Sequence, residues 1–314
     1  MQGFDQTSTA FGTGTDPGSG GRPRRRAVRR TAVVSAVLAA GLLLTACADS
    51  DGKGGDGKKG PSAISHIHGV EVHPRDGKLY VATHNGIYTP GADGRPELVG
   101  DRKDDFMGFT LGEGGTFLAS GHPAPGRDAP ANLGLIESTD TGRTWKDRSL
   151  TGEVDFHSLD HAHSTLYGYD STNGLLRVSK DGTDWEKRSS LKALDIAVSP
   201  TDPGTVLATT ESGISRSTDG GKTFAAGNGT VMAFLTWAEE RSLYGVDPAG
   251  KISVSADGGK TWRQTGTAPG GQPQALTAVD ARRVVVATQD GVYESTDGGA
   301  AFTKRLDVTS GGGH

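Results

Sequence analysis

The chain has one cysteine in 314 residues, at position 47, directly behind an apolar stretch. A folded part that begins after it has no thiol left to pair, so packing and hydrogen bonds must hold the fold without disulfides. The sequence also lacks an apolar run of the roughly 20 residues that a membrane-spanning helix needs. The stretch from Thr31 to Ala46 has 16. Helical periodicity is missing throughout, which argues against all-α and α/β classes. Basic excess is missing too: without residues 1–46 the chain carries 27 basic against 35 acidic groups, a net charge of about −8. Nothing in that balance points to nucleic acid as a partner.

What the N-terminus does contain is an arginine cluster (Arg22, Arg24, Arg25, Arg26, Arg29, Arg30) running straight into the apolar stretch. Charge followed by a short apolar segment is the pattern of a secretory signal. The residues Leu44-Thr45-Ala46-Cys47 resemble the lipobox of bacterial lipoproteins. That resemblance implies acylation of Cys47, cleavage before it, and a place on the outer face of the cytoplasmic membrane, at the cell surface. Arg29-Arg30 would suit twin-arginine export, although Thr31-Ala32-Val33 matches that pattern poorly, so the export route stays open. The chain divides into a leader and signal peptide (1–46), a flexible Gly/Lys/Asp tether (47–64), a folded part (65–308) and a short Gly-rich tail (309–314) expected to be disordered.

Within the folded part a motif of the form Ser-x-Asp-x-Gly-x-x-aromatic recurs. It begins at Ser138, Ser217, Ser255 and Ser295 with its aspartates at Asp140, Asp219, Asp257 and Asp297, and a shortened copy carries Asp181. The aspartates are spaced by 41, 38, 38 and 40 residues, the length of one four-stranded propeller blade. One step further back lies a degenerate copy at Ala92-Asp93-Gly94. Each unit has four short β-branched or alternating runs, as in Leu194 to Ser199, Thr205 to Thr210, Gly213 to Ser217 and Lys222 to Ala226. These features predict an all-β, six-bladed β-propeller.

The motif resembles the Asp-box, or BNR, repeat of sialidases, other glycoside hydrolases and sortilin-type receptors. In that family it is the hairpin between the third and fourth strands. Its role there is structural: carboxylate and hydroxyl accept backbone N–H bonds, glycine supplies the unusual dihedral, and the aromatic ring packs between sheets. The wider pattern, including His66-Ile-His68-Gly and Asp105-Phe-Met107-Gly-Phe, is similar to exported actinobacterial lipoproteins called glycosylhydrolase-like. Since the repeat occurs in enzymes and non-enzymes, it points to an architecture and not a reaction.

In a four-stranded meander the first strand starts and the second ends on one face, opposite the Asp-box hairpins. Reading those positions in register places His66, His68, Met107 and His157 at first-strand starts, with His84 and His122 at second-strand ends. Such a cluster in an exported, cysteine-free domain suits copper or zinc. Asp105, Asp155 and Asp170 are catalytic candidates at the same mouth. By contrast His73, His161 and His163 fall in turns on the other face and are expected to be solvated. The leading expectation is a binding or scaffold protein, expected to be monomeric, with a transition-metal site at the mouth of blades one to three. Its ligand could be a small molecule, a carbohydrate or a protein. The alternative is a glycoside hydrolase acting on extracellular carbohydrate, so whether the protein is an enzyme stays open. A sialidase needs an arginine triad, yet Arg143, Arg148, Arg188 and Arg263 lie in hairpins or outer strands, and the Arg-Ile-Pro element is missing.

Overall fold

The computed structural model describes residue 64 and residues 66–308. Cys47, the signal segment, most of the tether and the tail lie outside the described residues. Those described form six antiparallel sheets, each built from consecutive strands. The first is β1 (Ile67–Val72), β2 (Leu79–Thr83), β3 (Gly86–Pro90) and β4 (Pro96–Leu98). The second is β5 (Asp105–Leu111), β6 (Phe117–His122), β7 (Leu135–Ser138) and β8 (Lys146–Ser149). The third is β9 (Phe156–Ala162), β10 (Thr165–Asp170), β11 (Leu175–Ser179) and β12 (Glu186–Ser190). The fourth has β13 (Ile196–Val198), β14 (Val206–Thr210) and β15 (Gly213–Ser217). The fifth is β16 (Phe234–Glu239), β17 (Ser242–Val246), β18 (Lys251–Ser255) and β19 (Arg263–Thr267). The sixth is β20 (Pro273–Ala278), β21 (Val284–Thr288), β22 (Gly291–Ser295) and β23 (Thr303–Asp307). The first strands touch in the cyclic order β1, β5, β9, β13, β16, β20 and back to β1. This is a six-bladed β-propeller.

The chemistry of each strand follows its depth. Middle strands are sandwiched between neighbouring blades and are mostly apolar, as in the fully buried Val284-Val-Val-Ala-Thr of β21. Outer strands face water on one side and carry charge, as in the largely exposed Lys146-Asp-Arg-Ser of β8. In the fourth blade the expected fourth strand at 222–226 does not form. Only isolated bonds such as Ala225 N–H to the Arg216 carbonyl at 2.9 Å remain. Asn228 N–H to the Ile214 carbonyl at 3.1 Å and Ile214 N–H to the Thr230 carbonyl at 3.0 Å follow, across glycines at 227 and 229 that have no side chain to pack.

The repeated turns are built from within. Ser138 Oγ donates to Asp140 Oδ1 at 2.8 Å and accepts the Gly142 N–H at 2.8 Å. The Thr144 N–H and hydroxyl bind the same carboxylate at 2.9 and 2.6 Å. Gly142 has φ 86°, and the matching Gly221, Gly259 and Gly299 have 86°, 89° and 86°. A side chain is strained in that region, which is why glycine recurs at this place. Trp145 closes the unit by packing on Phe106, ring centroids 5.0 Å apart.

Blades are clipped together near the axis by a recurring device, in which a side-chain oxygen of one blade accepts a backbone N–H from the next first strand. Ser120 takes Phe156 N–H at 2.9 Å, Ser158 takes Ile196 at 3.2 Å, and Asp160 takes Val198 at 2.7 Å. Asp195 takes Leu235 at 2.8 Å and Thr236 takes Ala278 at 3.2 Å. Gln274 of blade six then takes Ile67 of blade one at 3.1 Å, closing the ring. Because every sheet is contiguous in sequence, no strand is exchanged across this seam. It is held instead by an apolar cluster in which Ile67, Val70 and Val81 meet Ala275, Val285 and Val292. Ile64, assigned to the tether on its Gly- and Lys-rich neighbours, is fully buried in the same cluster.

Candidate metal centre

The histidine-bearing first strands share a local irregularity that the sequence pattern conceals. In β1 the register slips between Ile67 and Gly69, leaving His68 in the slip. The same happens in β5 between Phe106 and Phe109, around Met107, and in the β9–β10 pairing, around His157. It recurs in β20 between Pro273 and Ala275, around Gln274. A β-bulge re-aims one side chain away from the regular alternation, here at equivalent points of blades one, two, three and six. Opposite the β5 bulge, Gly121 has φ 145°, and a Cβ there would lie 1.9 Å from the Asp105 carbonyl oxygen. Only glycine allows the two strands to approach so closely at that point.

The bulges produce two clusters. In the first, His68 Nε2 lies 3.3 Å from His84 Nδ1 and 3.6 Å from Asp105 Oδ1, while His84 Nδ1 lies 2.9 Å from Asp105 Oδ2. In the second, Asp155 Oδ2 lies 2.6 Å from His157 Nε2 and 3.4 Å from His122 Nε2. Among the described residues, these are the groups of three whose donor atoms all fall within 4.8 Å of one another. Ligand atoms about 2.1 Å from a tetrahedral ion are about 3.4 Å apart, close to the 3.3 Å between the two imidazole nitrogens of the first set. In both clusters one carboxylate oxygen, Asp105 Oδ1 and Asp155 Oδ1, is buried with no hydrogen-bond partner. A buried acceptor left open is costly unless something else fills it. Two His/Asp triads could therefore hold a metal.

The surroundings prepare these groups for coordination. His122 Nδ1 lies 2.9 Å from the Ala131 carbonyl oxygen, to which it donates, so Nε2 is the nitrogen that faces Asp155. Burial, then the neighbouring imidazoles His84, His66 and His157, bring His68 down to about 3, against the pull of Asp155. It is thus a neutral imidazole at physiological pH, the form that binds metal. Burial works to raise Asp155, but the hydrogen bond and charge of His157, with His122, hold it below its ordinary value as a carboxylate.

The structure separates the predicted ligands. His68, His84, His122 and His157 fall into the two triads, joined by Asp105 and Asp155, which the sequence offers as catalytic candidates. His66 stacks near both His68 and His84, with centroids 4.8 and 5.3 Å apart, but belongs to neither triad. The Gln274 side-chain oxygen is committed to the Ile67 N–H, so its amide N–H group faces His66 Nδ1 at 3.1 Å. That bond occupies the Nδ1 lone pair and puts the imidazole proton on Nε2. Met107 lines the cavity into which His68 and His157 open. Asp170 leaves the mouth altogether: it is fully buried and paired with Arg177 Nε at 2.7 Å. Its neighbour Tyr169 packs in the core and donates to the Leu191 carbonyl at 3.2 Å. His73 is buried, not solvated, with Nε2 donating to the Gly115 carbonyl at 3.1 Å. The exposed His163 reaches the Ser199 carbonyl at 2.8 Å.

His68 and His157 both open on a cavity of about 640 Å3. Beneath it a narrower channel of about 250 Å3 runs along the axis, lined by Glu71, Asp160 and Asp195. These three carboxyls are half-buried, facing the channel. Burial, with the charge of Asp160, pushes Glu71 up to about 8. Burial likewise pushes Asp160 and Asp195 up to about 6, against the backbone N–H bonds they accept.

No protein-family model matches the chain, and no curated protein does. Among solved structures it is similar to a GH74 enzyme of Niastella koreensis, with TM-score 0.57 and 18% identity over 77% of this chain and 45% of that one. The chain thus spans less than half of that enzyme. A chain of the nidogen/laminin complex matches with TM-score 0.55 and 13% identity over 72% of this chain and 92% of that one. Virginiamycin B lyase from Staphylococcus aureus matches with TM-score 0.51 and 14% identity over 74% and 83%. At these identities the likeness is one of fold. Two enzymes and a protein complex share it, so the reaction has to be sought in the site.

Proposed function

We propose that this protein is an exported, lipid-anchored metal-binding propeller, which holds zinc or copper(II) at the mouth formed by blades one to three. The observation that carries the reading is the pair of two-histidine, one-aspartate clusters, each with a buried carboxylate oxygen otherwise unpartnered. Two imidazoles and a carboxylate are borderline donors that suit zinc and copper(II). Three protein ligands would leave a coordination position open, as in zinc sites that take a water or a ligand, and one histidine of each triad, His68 and His157, lines the cavity. The Cys47 anchor would keep this mouth outside the cytoplasmic membrane. Glycoside hydrolysis would require two carboxyls facing each other across the cavity. Here Glu211 lines it, while Asp105 and Asp155 are engaged with imidazoles.

Metal analysis of protein purified without chelator, then exposed to each ion in turn and desalted, tests the proposal. It expects retention of close to two equivalents, with His68→Ala and His122→Ala each losing one and the thermal unfolding midpoint rising on loading. Retention below about one-tenth of an equivalent of both zinc and copper would end it.

A further inference from the structure

Exposed large apolar side chains are rare on this propeller: among the described residues they are Leu194, Val231 and Val279. Two of the three, Leu194 and Val231, line the cavity into which His68 and His157 open. Met232 and Phe234 extend that apolar wall. The cavity thus has two unlike sides, an imidazole wall from blades one and three and an apolar wall from blades four and five. Its volume of about 640 Å3 is that of a small-molecule site. Apolar surface left in water inside a concave site marks a place where a ligand is bound.

Charge decides what the polar end of such a ligand must be. Imidazoles ligate a metal as neutral donors, so a dication held by two of them and one carboxylate would keep one net positive charge, and Lys192 adds another at the cavity. Against these stands the single acid Glu211. With metal bound the mouth would therefore be locally positive in a chain whose formal net charge is −4. An anionic oxygen ligand fits the open metal position, and an apolar body fits the opposite wall.

We propose that the cavity binds a small carboxylate with an apolar body, its head on the metal and its chain against Leu194, Val231, Met232 and Phe234. This rests on the metal reading above and adds the class of ligand. The full-length zinc-loaded protein is titrated calorimetrically with acetate, butyrate, hexanoate and octanoate, with zinc content measured on the same samples. Affinity is expected to rise about threefold to fourfold for each added methylene, as for burial of a CH2 group, and to fall at least about tenfold for every acid when zinc is removed. A Leu194→Ser/Val231→Ser variant, altered only at exposed positions, should keep its zinc and show less than about a twofold gain per methylene. Zinc-loaded protein that binds acetate and octanoate alike overturns the proposal while leaving the metal reading intact. Zinc-free protein that binds octanoate as tightly overturns the metal-held head. Failure to retain zinc at all defeats the metal reading first, and the proposal with it.

Discussion

At Asp170 the carboxylate is fully buried and accepts bonds from Arg177 Nε at 2.7 Å and from the Asn173 backbone and side-chain amides at 3.1 and 2.9 Å. Read along the chain, Asp170 ends a second strand beside Tyr169 and looks like a rim acid. The residue that alters this is Arg177, seven positions on and across the β10–β11 hairpin, where Gly168 pairs with it and Asp170 with Leu175. Taking one partner away strands a charge in the core. Arg177→Met should therefore cost about 3–5 kcal/mol in urea unfolding, with part recovered by adding Asp170→Asn. A loss under about 1 kcal/mol would mean that water reaches the carboxylate. Asp105 and Asp155 make the complementary point. Their place on the mouth's face was legible from strand direction, but their pairing with histidines was not, because bulges at His68 and His157 decide where those rings point.

The Ser-x-Asp turns are the elements most fully legible in the sequence, since the bonds made by their Ser and Asp side chains join residues at most four positions apart. In the fifth blade Ser255 Oγ accepts the buried Gly259 N–H at 2.7 Å and donates to Asp257 at 2.8 Å. Ser255→Ala leaves that N–H without an acceptor beneath the turn. It should lower stability by about 1–3 kcal/mol in chemical denaturation, without changing metal content. An unchanged denaturation midpoint would show that the carboxylate alone suffices to hold the turn. The fourth blade marks the limit of such local reading. Its motif at Ser217 is intact, with the same Ser217 to Gly221 bond at 2.8 Å, yet no fourth strand follows. A turn can be specified locally, whereas an outer strand needs a run of side chains that the glycines at 227 and 229 do not supply.

Closing six blades into a ring brings Glu71, Asp160 and Asp195 from three different blades to one channel. Burial first, and mutual repulsion second, holds Glu71 at about 8 against an ordinary 4.5. Between those values the folded protein retains a proton that the unfolded chain releases, so stability falls as pH rises through the window. Asp160 and Asp195, at about 6, act in the same direction from about pH 4 upward. His68, kept neutral in the fold, acts oppositely, lowering stability as pH falls below about 6.5. The interval from about pH 6.5 to 8 therefore isolates Glu71. Over it the melting temperature of Glu71→Gln should decline less than that of the parent protein and exceed it at pH 8. Parallel curves would show that Glu71 is ionised throughout.

The forty-residue period, the turn chemistry and the alternation of buried and exposed strands follow from the sequence alone, because each depends on neighbours within one hairpin or one blade. From them come the β class and the number of blades. Strand direction adds the face on which His68, His84, His122 and His157 gather. The tertiary structure alone decided which imidazole meets which carboxylate, why His66 is withdrawn by Gln274, 208 positions away, and that Asp170 belongs to the core. These outcomes turn on shifts of a few ångströms made by bulges and ring closure, and no local pattern of residue types encodes displacements of that size.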